Sequence, residues 1–226
     1  MAVLSDIRIV EMLYDEKLKI DPFIYDHVQP ASVDLTLNDR IMVLKNNNYT
    51  IFPYEKDKDI YDKLKIVKYI LRPNEFILAE IRENLTLGNN LTGRIENRSS
   101  LARLGLEVSM GSFINPGYDG RLTITIKNNS GHPIEIHKGM RICQLVLEDV
   151  SPAASFGYDT KPDAKYQKEE GVVFSKLFMD TEYQEYMEKN SDLDLGEFLI
   201  DRLKEKTKSF DEIFTYEEKK RLGLIK

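Results

Sequence analysis

The sequence predicts a mainly β protein, a closed or sandwiched body with a helix at its amino end and a helical extension at its carboxy end. Two observations carry this. From Gln29 to Val150 the chain is a series of short segments in which apolar and polar residues alternate, each bounded by turn residues. Such closely spaced strands leave no room for βαβ crossovers, and neither GxGxxG nor GxxxxGK[ST] occurs.

In chain order, Ser5 is an N-cap for a helix carrying Ile9, Val10, Met12 and Leu13 and ending near Lys17. Val33, Leu35 and Leu37 then alternate with Asp34, Thr36 and Asn38, which predicts a strand buried on one face. Asn46 to Asn48 reads as a turn, with Ile51 and Phe52 following. Further strands are expected at 66–71, 76–82, 91–96, 122–127, 134–136 and 140–148. The breaks fall at Pro73-Asn74, Gly88-Asn89-Asn90, Pro116-Gly117 and Lys138-Gly139. Residues of about 151–176 are polar, with Gly, Pro, Lys and Tyr interleaved, and read as a mobile arm. Residues 177–226 are charged at helical spacing, with Phe198, Leu199 and Leu203 as an apolar stripe. They read as a tail docked on the body or a neighbour, or as a separate module.

Composition narrows the chemistry. The 226 residues suit one domain of 1–176 with the appended 177–226, and 42% hydrophobic with 31% charged residues is the balance of an ordinary globular chain. A single Cys143 excludes a disulfide framework and a multi-cysteine zinc site, and the three histidines, His27, His132 and His137, lack HExxH-like spacing. The net charge of −6 argues against a broad face for nucleic acid, although one small anion needs only a local basic pocket. No apolar run has the length of a membrane helix, and the amino terminus lacks a signal-peptide layout. The expectation is a cytoplasmic protein with Cys143 reduced.

Two strings hold candidate chemistry. Arg98-Ser99-Ser100-Leu101-Ala102-Arg103 sets two guanidinium groups and two hydroxyls close together, an anion cradle or, equally, the capped start of a helix. Phe113-Ile114-Asn115-Pro116-Gly117-Tyr118-Asp119-Gly120 is a strand entering a tight turn. Asn115 and the backbone there are placed to read a base or sugar edge, or the string is a plain hairpin. Tyr158 and Lys165-Tyr166 in the arm are candidates for a lid over a ligand.

QPASVDLTL at 29–37, RSSLARLG at 98–105, INPGYDG at 114–120, GMRICQL at 139–145 and PDAKYQ at 162–167 resemble, in order and spacing, the dCTP deaminases and the related trimeric dUTPases. The resemblance spans about residues 4–176. It implies a distorted, jelly-roll-like, dUTPase-like β-barrel that assembles as a homotrimer with sites between subunits. The implied ligand is the magnesium complex of a pyrimidine deoxynucleoside triphosphate, with Mg2+ held by the phosphates and no zinc. By the same resemblance Ser99 helps hold the attacking water and Arg103 lies beside it, Arg98 and Ser100 contact phosphate, and Tyr158 and Lys165 belong to the arm over the triphosphate. Phe113, Asn115 and Tyr118 fall in the string that reads sugar and base.

Four positions depart from the pattern. Thr125 stands where family deaminases carry the glutamate that transfers protons, and a threonine hydroxyl does not titrate near neutrality. Losing such a group typically costs about 10²- to 10⁴-fold. Asn115 stands where dUTPases carry an aspartate, keeping hydrogen bonds without the charge. Glu169 replaces a glutamine near the triphosphate, a repulsion for Mg2+ or Lys168 to offset. Asn97 replaces a glycine. Three functions are therefore weighed: deamination of dCTP to dUTP, with protons carried by Glu107, Asp119 or water; diphosphatase cleavage releasing pyrophosphate; and non-catalytic, regulatory dNTP binding.

Overall fold

The computed structural model describes residues 2–45, 51, 60–111, 113–182, 185 and 219. Ser5 accepts a hydrogen bond from the Arg8 amide at 3.4 Å and opens α1, Asp6–Tyr14. Ile9 and Met12 bury one face of it. The helix stops short of Lys17 because Glu16 takes a left-handed φ of 57° and the Lys17 amide turns back to the Met12 carbonyl at 2.9 Å.

The chain then forms β1 (Leu18–Asp21), β2 (Val28–Gln29) and the long β3 (Ser32–Leu44). There follow β4 (Tyr61–Lys65), β5 (Lys68–Leu71), β6 (Phe76–Ile81), β7 (Asn84–Leu87) and β8 (Leu91–Asn97). One helical turn, α2 (Ser99–Ala102), leads into β9 (Leu106–Ser109) and β10 (Phe113–Ile114). The last strands are β11 (Asp119–Gly120), β12 (Thr123–Asn128), β13 (Ile134–His137) and β14 (Arg141–Asp149). Every strand expected from the alternation is present. β1, β2, β4, β7, β9 and β11 were not expected: each is two to five residues long, and β4, YDKLK, takes its strand form from its pairing with β3 rather than from an apolar pattern.

Nine strands make one sheet along the path β10-β8-β14-β3-β6-β12-β9, with β2 and β4 on β3. β3 pairs with β14 through residues 33–36 and with β6 through 37–43, shifting register between Leu37 and Ile41, so one strand serves two halves of the sheet. The far end of the path returns to its beginning where the Asn97 side chain at the end of β8 donates to the Leu106 carbonyl at the start of β9, 2.8 Å away. The sheet is thereby curled into a half-barrel, the mainly β architecture expected. Its concave side holds Leu35, Leu37, Ile77, Ala79, Ile124, Ile126, Cys143 and Leu145, all buried. Smaller sheets, β1-β7-β11 and β13-β5, lie beside it.

The chain divides into two units, Met1–Lys45 with Asp59–Phe174, and Asn46–Lys58 with Ser175–Lys226. The half-barrel belongs to the first. In the second, the described residues include a 3₁₀ turn at Leu177–Met179 and helical Thr181, Glu182, Glu185 and Lys219. The expected turn at Asn46 to Asn48 and the remainder of the helical extension lie outside the described residues.

Candidate functional site

The 98–103 segment leaves β8 as a turn of helix whose N-cap is Arg98, with no side-chain cap hydrogen bond. Ser99 and Ser100 therefore do not cap it; they stand exposed with Arg103, while Leu101 anchors the turn in the core. Of the two sequence readings, the capped helix start fails at its cap, and the hydroxyls face outward beside two arginines.

Arg98 is held in place. Its Nη2 lies 3.4 Å from Asp34 Oδ2 and its Nη1 donates to the Arg141 carbonyl at 3.1 Å. Arg141 Nη1 meets the same Asp34 oxygen at 3.1 Å. Asp34 is only 2% exposed, so a buried carboxylate fixes two guanidinium groups and leaves a net positive charge at the surface where Ser99, Ser100 and Arg103 lie. The other carboxylate oxygen, Asp34 Oδ1, has no hydrogen-bond partner among the described residues. The sequence reading did not give Asp34 or Arg141 a role. The alternation through 32–37 had predicted an exposed polar face; instead Ser32, Asp34 and Thr36 are buried as well as Val33, Leu35 and Leu37. They stay buried because each has a polar partner: Thr36 donates its amide and hydroxyl to Glu83 at 3.0 and 2.6 Å, and Ser32 accepts from Gln144.

The second group gathers around the turn after β10. Pro116 and Gly117 form the corner, Gly117 at φ +77°, and the Tyr118 amide closes it onto the Asn115 carbonyl at 3.2 Å. Asn115 and Phe113 are exposed. The arm expected to be mobile is tied to this turn along its length. Tyr158 donates its amide to the Pro116 carbonyl at 2.7 Å, and the Gln167 amide side chain bonds both the Gly117 carbonyl and the Asp119 amide. The Lys168 amide donates to the Asp119 carbonyl at 2.7 Å. Backbone polar groups of a polar segment thus find partners in the turn, which is why the arm is ordered. Tyr118, 5% exposed, packs 6.4 Å from the Tyr158 ring, so in this arrangement it supports the arm rather than offering a stacking face. Burial, then the nearby charge of Glu169, push its hydroxyl well above the usual tyrosine range. Lys165 and Glu169 are half-buried within the arm.

The two groups are not neighbours within one chain. Ile114 is paired with Gly93, and the Ile114 carbonyl accepts from Thr92, so Asn115 lies at the start of β8 and Arg98-Ser99 at its end. At about 3.3 Å per residue they are roughly 20 Å apart. Thr125 sits on the outer face of β12, its hydroxyl donating to the Ser109 carbonyl of β9 at 3.2 Å, two residues from Thr123, which accepts from Val173 of the arm. Glu107 lies at the Lys127 level of β9, exposed and accepting from Asn129 at 2.8 Å. Asp119 accepts from Asn84 and Thr86, both at 3.1 Å.

The sequence reading also missed Glu80. This glutamate of FILAEI is 0% exposed; it accepts from the Asn38 side chain at 2.6 Å and the Gly171 amide of the arm at 2.7 Å. An acid inside an apolar strand was the signal available for it, as for Asp34 in SVDLTL. Among the described residues no group of His, Cys, Asp and Glu side chains forms a metal-binding set, and no helix is long and apolar enough to cross a membrane.

The dCTP deaminase-like family model matches residues 3–150, from the first bridge of the body to the end of β14. The "dCTP deaminase, dUMP-forming" of Persephonella marina is 34% identical over 189 residues, covering 79% of this chain and 98% of that protein. The protein of the same name from Rhodococcus erythropolis is 37% identical over 183 residues, covering 78% and 97%. The crystal structure of 2'-deoxycytidine 5'-triphosphate deaminase from Agrobacterium tumefaciens aligns with a TM-score of 0.53 at 22% identity, covering 65% of this chain and 47% of that one, a likeness of fold. The half-barrel, the arginine-serine turn and the INPGYDG corner all lie inside the span matched by the family model, and the chain belongs to the dCTP deaminase-like family.

Proposed function

We propose that this protein hydrolytically deaminates the magnesium complex of dCTP in the cytoplasm, as a homotrimer whose sites are completed between subunits. The observation that carries the reading is the separation of roughly 20 Å along β8 between the Arg98-Ser99 cradle and the Asn115 turn. Each is built for half of a nucleotide, and a second copy brings the cradle of one subunit to the turn of another.

In this reading Arg98, Ser100 and Arg103, with Arg141 beside them, take the triphosphate. Asn115 and the backbone of its turn take the sugar and base, and Tyr158, Lys165 and Glu169 close over them with the arm. Ser99 holds the water. Its oxygen bonds to the amino-bearing ring carbon, the carbon–nitrogen bond breaks, and ammonia leaves as dUTP forms. The relatives carry the name "dUMP-forming". Attack of a second water on the triphosphate, releasing pyrophosphate, would take dUTP to dUMP, so the two reactions weighed separately from sequence become successive steps. One buried cysteine and histidines on separate elements supply no zinc set, which supports chemistry by side chains on a magnesium-bound substrate.

The test is complementation. Ser99→Ala and Asn115→Ala should each lower ammonia release from dCTP at least about 10²-fold. Mixed and reassembled, they should regain activity, because some sites then pair an intact cradle with an intact turn. No recovery from chains shown to mix would overturn the shared site. dCTP-dependent stabilisation of the wild type without ammonia or pyrophosphate would establish the binding-only reading instead.

A further inference from the structure

We infer that Glu80 carries the proton in the deamination step, an assignment that rests on the function proposed above. Moving a proton from water to a leaving amine needs a titrating group beside the ring, and Thr125 offers only a hydroxyl bonded to the Ser109 carbonyl. The outer face of the sheet at this point is built from β6, β12 and β9. Thr123 pairs with Glu80 and Thr125 with Leu78 and Ser109, so Glu80 projects from the same face as Thr125, one rung away. Diagonal neighbours of this kind lie within reach of a long side chain. Glu107, the other carboxylate of this face in the paired stretch, lies on the opposite side of Thr125, exposed and hydrogen-bonded to Asn129.

Glu80 also lies on the side of the turn and the arm. Its negative charge is among those raising the Tyr118 hydroxyl, and Gly171 and Val173 of the arm bond Glu80 and Thr123 in succession, at 2.7 and 3.0 Å. A carboxylate buried in an apolar strand is costly, and buried acids of this kind cluster at functional sites. Both of its donors are N–H groups, Asn38 Nδ2 and Gly171 N, so its two oxygens serve as hydrogen-bond acceptors here. The step balances: water gives one proton to Glu80 as its oxygen bonds to the ring carbon, Glu80 returns that proton to the amine as ammonia departs, and the second water proton passes from the new hydroxyl to the adjacent ring nitrogen, leaving the carbonyl of dUTP.

The experiment compares wild type, Glu80→Gln, and Glu80→Gln with Thr125→Glu, reading ammonia release from magnesium dCTP and the dCTP-dependent rise in Tm. Glutamine keeps an acceptor for Gly171 and removes the titrating group. It should lower the rate of ammonia release at least 100-fold with the dCTP-dependent rise in Tm unchanged, and Thr125→Glu should restore at least 10-fold of the loss. Ammonia release within threefold of wild type overturns the assignment. So does a loss of activity accompanied by loss of dCTP stabilisation, which would make Glu80 a fastening for the arm. If Glu80→Gln has no melting transition, Glu80→Asp replaces it: the withdrawn carboxylate should cost at least 10-fold in ammonia release at unchanged stabilisation, and a smaller loss overturns the proposal. A wild type that releases no ammonia refutes the underlying function, a result distinct from any of these.

Discussion

Arg98 is bound to Asp34, Nη2 to Oδ2 at 3.4 Å, across a register that joins the end of β8 to the start of β3 through β14. The same oxygen holds Arg141 at 3.1 Å. Removing the charge leaves two guanidinium groups sharing one neutral partner. Asp34→Asn should destabilise the protein by about 3 kcal/mol, the cost of unbalancing a buried pair, measured by urea unfolding. It should also raise the KM for dCTP about tenfold, a loss of roughly 1.4 kcal/mol of binding, because Arg98 no longer has a fixed direction.

Gly117 stands at φ +77°, and a Cβ there would lie 2.7 Å from the Gly157 Cα and 2.8 Å from the Tyr158 amide. Both the left-handed backbone and the close approach of the arm require glycine. Gly117→Ala should cost about 1–2 kcal/mol for the backbone alone. It should also displace the start of the arm, seen as faster proteolysis within 151–176 and a raised KM.

Thr125 donates to the Ser109 carbonyl and carries no titrating group. Thr125→Val should therefore leave ammonia release within about threefold while lowering stability by about 1 kcal/mol, the net value of one hydrogen bond. A loss of 100-fold would show that the Thr125 hydroxyl itself takes part in the reaction.

Asp39 accepts from Lys138 at 3.0 Å and faces Lys65 at 3.7 Å. The Lys138 hydrogen bond holds its carboxyl below the usual 3.8. The folded value is the lower one, so this contribution is present above about pH 4 and is lost as the pH falls through the folded value. Asp39→Asn should lower Tm at pH 7, and the difference from wild type should shrink to nothing as the pH drops through the folded value. A difference that persists unchanged in acid would show that the lysine contacts do not act through charge.

The sequence by itself determined the class of the fold and most of its strands, because alternation along 33–38, 76–82 and 122–127 is a local pattern that a half-buried sheet reads directly. It also determined the two motifs, since arginine, serine and a Pro-Gly corner announce their chemistry by residue type. Short strands such as β4 and β7 were beyond it, as they exist only through partners distant in the chain. What those motifs are joined to depends on contacts between distant strands. Asp34 and Glu80 sit at positions that alternation marks as outward, and both are buried because Arg98, Arg141 and Gly171 come to them from 64 to 107 residues away and Asn38 from the neighbouring strand, 42 residues away. The cradle and the turn, only ten or so residues apart in sequence, are set at opposite ends of β8 because an antiparallel register reverses direction. Local pattern fixes which way a side chain points from its strand; what covers it, and which other group it meets, depends on contacts no local pattern contains.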